Sequence, residues 1–185
     1  MLKPSRFIDV LRLRSNTFGT RTVMARAYKK IGVACRRCRA QPETPGHILG
    51  LCQYTKGQRI KRYDEVKSIF AAKLRKNNEV FVESTLKVGD NLWKPDLVVR
   101  NDKRLLVVDI TVHYENKDYL QRAEKEKAGK YSSCLQHPKN KFNIGDEEVS
   151  PTVLGSRGAI TSNTERILKR IGISDKEIKT IVMNV

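Results

Sequence analysis

The stretch that most constrains the fold runs from Trp93 to Val112. It reads as two apolar β-runs, Leu97–Arg100 and Leu105–Val112, joined by a polar turn at Asn101-Asp102-Lys103. One acid, Asp96, opens the first run, and another, Asp109, interrupts the second among Val107, Val108, Ile110 and Val112. With the turn centred between Asp102 and Lys103, paired positions sum to 205 and Asp96 falls opposite Asp109. Opposed residues on antiparallel strands hold their Cβ atoms about 4.5–5.5 Å apart on one face. Two carboxylates that close repel unless a positive group stands between them, and a divalent cation is the expected one. Asp96 alone would be ordinary turn chemistry. A bare carboxylate surrounded by branched aliphatics is costly, so Asp109 needs a partner.

Charge is the loudest compositional signal. Lys and Arg number 37 against 20 Asp and Glu, for a net charge of +17. Residues 1–60 hold thirteen of these bases, against only Asp9 and Glu43. Such an excess points to a polyanionic partner, nucleic acid above all. A chain of 185 residues can hold one modest domain and an appendage. No apolar run reaches the length of a membrane span, and no leader pattern opens the chain, so no membrane partner is expected.

Residues 1–31 read as basic helices forming a linker. Phe7, Val10, Leu11 and Leu13 make an apolar set in the first, and Thr22 to Lys30 form the second. Next comes Cys35-x2-Cys38-x8-His47-x4-Cys52, within a segment 32–56. Three thiols and an imidazole at these spacings form the donor set of a closed, tetrahedral, structural zinc site. So short and polar a segment would hardly fold without its metal. Arg36, Arg37 and Arg39 on this knuckle, with Arg62 beyond it, are the candidate nucleic-acid contacts.

The remainder, 57–185, reads as one α/β domain. Ile60, Tyr63, Val66, Phe70 and Leu74 recur at helical spacing over 59–76. Glu79–Thr85 alternates as a strand, and a loop through Gly89 leads into the hairpin. A helix from about Asp118 to Cys134 has Leu120, Ala123, Tyr131 and Cys134 as its apolar stripe. Lys127 falls in the middle of that stripe and Lys130 at its edge. A lysine on an inward face either snorkels outward or serves a buried acid; Asp109 on the preceding strand favours the second. Cys134 reads as a core thiol. Residues 136–148 form a polar loop, and Val149–Leu154 a short strand. Ser162-Asn163-Thr164-Glu165 reads as a capping box, and Ser174-Asp175-Lys176-Glu177 caps a last short helix. The order α-β-β-β-α-β-α-α is that of an α/β sandwich on a mixed sheet.

Two carboxylates holding one or two Mg²⁺ ions, with a lysine beside them, are the parts of a phosphodiester hydrolase. Pro95-Asp96, followed by Asp109-Ile110-Thr111, resembles the Pro-Asp…(Asp/Glu)-x-Lys motif of restriction-endonuclease-like nucleases. The α-β-β-β-α-β order resembles that superfamily's core. Thr111 stands where the motif has lysine; in branches where that lysine migrates to the next helix, Lys127 or Lys130 takes its place. Glu65 and Glu83 are the candidate additional acids.

A wider resemblance covers nearly the whole chain. The knuckle with Glu43-Thr44-x-x-His47-Ile48-Leu49, then Arg62-Tyr63-Asp64, then Lys94-Pro95-Asp96 and Asp109, is similar to site-specific non-LTR retrotransposon polyproteins of the type inserting into ribosomal RNA genes. Their Arg-His-(Asn/Asp) triplet has Tyr63 at the histidine here. The resemblance implies Zn²⁺ in the knuckle and Mg²⁺ at the acids. It implies target DNA and element RNA as partners, a reverse transcriptase upstream, and action in the nucleus. Two other readings stay open: a binding module whose nuclease site has decayed, and a structural basic protein.

Overall fold

The computed structural model describes residues 4–88, 90–100, 104–135 and 146–184. It divides into two compact units, Met1–Arg62 and Tyr63–Val185. Among the described residues, no helix is long and apolar enough to cross a membrane.

The first unit contains α1 (Pro4–Arg14) and α2 (Arg21–Ala27), as the two basic runs foretell. The apolar set of α1 does not form a core. Phe7, Ile8 and Leu11 are about half exposed. A bridge between Ala34 and Pro42 then closes a tight loop, and a single π-turn, His47–Leu51, and a 3₁₀ turn, Gln53–Thr55, follow. The chain runs on into α3 (Lys56–Leu74), which spans the boundary between the units.

The second unit is built on a four-stranded sheet of order β1-β4-β5-β6. Its strands are β1 (Glu79–Val82), β4 (Leu97–Arg100), β5 (Arg104–His113) and β6 (Asp146–Gly155). A separate antiparallel pair, β2 (Leu86–Val88) and β3 (Asn91–Trp93), occupies the region read as a loop. Neither of its strands has enough alternating apolar residues to be recognised in isolation. Pairing is antiparallel from β1 to β5, whereas β5 and β6 run parallel over ten residue pairs. This is the expected mixed sheet. Its parallel connection passes through α4 (Tyr119–Leu135), as a parallel pair requires. The β4–β5 register pairs Leu97 with Val108 and Arg100 with Leu105, the alignment the turn arithmetic demands. The turn itself, 101–103, lies outside the described residues, as do most of the 136–148 loop and the side chain of Cys134.

Strand alternation divides the core. Leu97, Val99, Val108 and Ile110 pack with Val66, Phe70, Ala71 and Leu74 of α3. Leu168, Ile178 and Ile181 of the last two helices, α5 (Ser162–Arg170) and α6 (Asp175–Asn184), join the same cluster. Ile60, expected on the buried stripe of α3, is half exposed; the inward stripe begins at Tyr63. Val107 packs instead with Tyr131 of α4, Trp93 and Val149, and Val153 packs with Leu120 and Ala123. Asp109 has the parity of Val107, so it faces α4.

Helix ends follow local chemistry, with one shift. Thr161, not Ser162, is the N-cap of α5: its Oγ1 accepts from the Thr164 amide at 3.1 Å. At α6 the box is as expected, Glu177 accepting from the Ser174 amide at 2.8 Å while Ser174 Oγ accepts from the Glu177 amide at 3.4 Å.

Candidate metal centres

In the first unit, the Cys35, Cys38 and Cys52 sulfurs and a His47 ring nitrogen all lie within 4.8 Å of one another. Cys35 and Cys52 Sγ are 4.0 Å apart, and Cys38 Sγ is 3.1 Å from His47 Nε2. Local backbone geometry brings them together. Arg39 adopts a left-handed φ of 57°, and its amide bonds to the Cys35 carbonyl at 3.0 Å, folding both cysteines of the Cys-x2-Cys turn inward. His47 is presented by the π-turn. Gln41 Oε1 lies 3.2 Å from its Nδ1, an arrangement that assigns the proton to Nδ1 and leaves Nε2 as the donor to a metal. Burial opposes ionisation of Cys35, but the Cys38 and Arg37 amides and His47 overcome it, drawing the thiol down to about 6. Burial raises Cys52. Four soft and borderline donors at these separations, all buried or half-buried, fit zinc with no position left open.

Glu43 braces this cluster. It is 2% exposed, and its carboxylate accepts from the Arg36 amide at 2.8 Å and the Arg36 guanidinium, and from the Arg21 amide at 3.1 Å. Although burial would raise it, these donors hold the Glu43 carboxyl down at about 2. Glu43 thereby caps the start of α2 from a distant point in the chain. The guanidinium of Arg36, one of the candidate nucleic-acid contacts, pairs with Glu43 and donates to the Gly19 carbonyl at 3.1 Å while remaining about half exposed. Arg62 likewise donates to the Leu49 carbonyl at 3.3 Å, and Arg59 to that of Gly50 at 2.5 Å. Arg37 and Arg39 are exposed.

In the second unit, Asp96 immediately precedes β4, at the register position facing Asp109. Asp96 Oδ2 accepts from the Ile110 amide at 2.6 Å, and Oδ1 accepts from the Tyr63 hydroxyl of α3. Asp109 is 3% exposed. Its Oδ2 lies 2.5 Å from Lys127 Nζ, and its Oδ1 accepts from the Tyr131 hydroxyl at 3.0 Å. Burial pushes the Asp96 carboxyl above its usual value; Tyr63, the Ile110 amide and Lys127 oppose that, while the Asp109 charge reinforces it. Burial and the hydrogen bond to Asp96 raise the Tyr63 phenol.

The structure therefore joins Asp96, Asp109 and Lys127. It does not bring the other candidates to the carboxylates. Lys130 Nζ donates to the Tyr131 hydroxyl at 3.1 Å and lies 4.6 Å from that ring's centroid. Three residues after Lys127, it lies about 60° round the helix from the stripe's centre. Glu83 is mostly exposed and pairs with Lys67, although its amide donates to the Asp96 carbonyl at 2.8 Å. Glu65 is exposed on α3. The hydroxyl contacts of Tyr63 and Tyr131 to the carboxylates, and the buried Lys67 beside Tyr63, were not foreseen from the sequence. The tyrosines sat on apolar stripes, where a phenol is indistinguishable from a packing residue. Lys67, 9% exposed, lies 3.2 Å from Asp64 and 5.1 Å from the Tyr63 ring centroid. Its place, one turn after Tyr63 and among acids, was the signal.

The chain thus combines a strongly basic composition, a Cys₃His cluster that could hold a metal ion, and a mixed-sheet α/β unit. Its homologues are the Pol polyproteins of R2 retrotransposable elements. The Popillia japonica type-1 element R2 polyprotein is 30% identical over 179 residues, 91% of this chain and 35% of its own length. The Drosophila melanogaster type-2 element R2DM polyprotein is 26% identical over 95% of this chain and 17% of its own, and the Bradysia coprophila R2 polyprotein 25% identical over 97% and 21%. The chain thus spans about a third or less of these relatives. No family model matches the sequence. Among solved structures, a protein of unknown function aligns over 65% of this chain and 64% of its own with a TM-score of 0.36 and 11% identity, too weak to carry an argument.

Proposed function

We propose that this region is the Mg²⁺-dependent DNA endonuclease of a retrotransposon polyprotein, nicking target DNA to leave a 3′-OH that primes reverse transcription. The observation that carries the proposal is one constellation: opposed Asp96 and Asp109, with Lys127 on an Asp109 oxygen. Hard carboxylate oxygens are the donor set Mg²⁺ takes, and two of them on paired strands would hold it with waters completing the shell. Bound there, the ion would supply Lewis acidity to a phosphoryl oxygen and acidify a coordinated water. Lys127 sits where a cation offsets the charge that builds on the phosphorane or orients the attacking water. The sheet order and helices are consistent with a restriction-endonuclease-like core. The net charge of +17 suits DNA and element RNA. The Cys₃His cluster serves as a structural zinc knuckle. The reverse transcriptase belongs to another part of the polyprotein, and the nucleus is the proposed site of action because the target is chromosomal, a ribosomal RNA gene by resemblance.

The test is nicking of supercoiled plasmid with and without Mg²⁺. Asp96→Asn and Asp109→Asn should each drop to the level of the chelated control; undiminished cleavage by either overturns the proposal. A second reading, a binding module without cleavage, draws on Thr111 at the motif lysine and Tyr63 at the motif histidine. It requires salt-steep DNA binding and no Mg²⁺-dependent nicking by the wild type.

A further inference from the structure

Both carboxylates of the acid pair are gripped by a tyrosine, and the two tyrosines come from different helices. Tyr63 of α3 donates to Asp96 Oδ1 and Tyr131 of α4 to Asp109 Oδ1. The other oxygen is engaged differently in the two cases: the Ile110 amide donates to Asp96 Oδ2, whereas Asp109 Oδ2 is ion-paired with Lys127 Nζ at 2.5 Å without accepting a hydrogen bond. A carboxylate's terminal torsion is broad and nearly two-fold when nothing holds it. On Asp96 two donors on opposite oxygens remove that freedom. On Asp109 the directional restraint comes from Tyr131 alone, the ion pair adding attraction to the other oxygen. Each oxygen keeps a lone pair for a further ligand.

Tyr131 is itself tightly specified. It is completely buried, and its ring lies against Trp93 at a centroid distance of 5.7 Å and a tilt of 54°. Lys130 donates to its hydroxyl oxygen at 3.1 Å, which turns the phenolic hydrogen outward to an acceptor. Two acceptors are within reach, the Lys94 carbonyl at 3.3 Å and Asp109 Oδ1 at 3.0 Å. The charged, nearer oxygen is the stronger partner. Tyr131 follows Lys127 by four residues, so one face of α4 holds both oxygens of Asp109. Packing alone would need Phe at either position; a hydroxyl buried and spent on an acid has another purpose.

We propose that Tyr63 and Tyr131 are positioning residues that lock the orientation of Asp96 and Asp109 for a divalent cation. The inference rests on the endonuclease reading of the same pair. Lys130 acquires a role here too, as the donor that aims the Tyr131 hydrogen, in place of the direct catalytic role expected of it.

Tyr63→Phe and Tyr131→Phe delete one oxygen each and keep the ring. On the zinc-loaded full chain, Mn²⁺ binding is measured by calorimetry, with Asp109→Asn marking binding at the acid pair. Mg²⁺ is titrated in the nicking assay. The expected result is a divalent half-saturation raised about 10–100-fold in both assays. The KM for DNA should not change, and nicking should be largely recovered at high metal. Coincident metal titrations for wild type and both variants, even with a lowered melting temperature, overturn the inference alone, because a purely packing role moves stability and not metal affinity. A wild type that neither binds Mn²⁺ at the pair nor nicks DNA overturns the endonuclease reading and this inference with it.

Discussion

The cysteine cluster and the acid pair hold their ligand atoms by opposite means. Cys35, Cys38, His47 and Cys52 come from one short stretch, and their neighbours in sequence, Gln41 and Arg39, set their geometry. Asp96 and Asp109 owe their juxtaposition to sheet register, and their partners arrive from α3 and α4. A local site of this kind has almost no apolar core to stand on, so metal and fold are one equilibrium. A site on a sheet inherits its geometry from a core that exists without the metal. The cluster should therefore be all-or-none, and the acid pair tunable.

The largest effect expected from this contrast is on the cluster. Zinc chelation, or Cys35→Ala, should abolish the fold of the first unit, seen as loss of dispersed amide resonances from residues 20–55. Trp93, the only tryptophan, lies in the second unit against Tyr131 and should keep its emission spectrum. A parallel collapse of Trp93 would erase the distinction between the two sites.

Next in size is Lys127→Ala, for which nicking at saturating Mg²⁺ should fall about 10²–10³-fold. Lys130→Ala, removed from the acids by one hydrogen bond, should instead raise the metal requirement with a smaller loss of rate. A reversed order would restore Lys130 as the catalytic lysine.

The smallest is Glu43→Gln. It should lower the stability of the first unit by about 2–3 kcal/mol at neutral pH, through hydrogen bonds lost from a charged acceptor. Glu43 is held down from 4.5 to about 2, so its contribution is fully present above 4.5 and is lost only as pH falls toward 2. The difference between wild type and variant in thermal unfolding should therefore be flat from about pH 6 to 8. A slope in that window would place the dependence on the thiolates instead.

What the sequence disclosed follows the same division. Spacing alone named all four members of the cluster, because a Cys-x2-Cys turn is a local object. Symmetry about a polar turn predicted the register and hence the Asp96–Asp109 pairing. Helical periodicity put Lys127 inward, since α4 must cover the face that Val107 and Asp109 share. Tyr63 and Tyr131 were invisible as polar partners because a stripe reports burial, not what a hydroxyl reaches. The roles of Arg36 and Glu83 were hidden for a different reason. Each pairs with a charge set by tertiary folding, Glu43 for one and Lys67 for the other. The β2–β3 pair is too short and polar for periodicity to register.

The parallel ladder between β5 and β6 has a consequence for the order in which the second unit can form. Strands β1, β4 and β5 pair through shorter connections, the 83–96 segment that carries β2 and β3 and the three residues 101–103. Every β5–β6 pair, by contrast, joins residues 42 apart, from Arg104 with Asp146 to His113 with Gly155. The entropy of closing that loop is spent before the first parallel bond forms. The antiparallel strands, Asp96 and Asp109 among them, can thus assemble early. Lys127 and Tyr131 reach Asp109 only once α4 has docked. In that order the two carboxylates would pair before Lys127 and Tyr131 arrive, and would face each other without that cation until α4 docks.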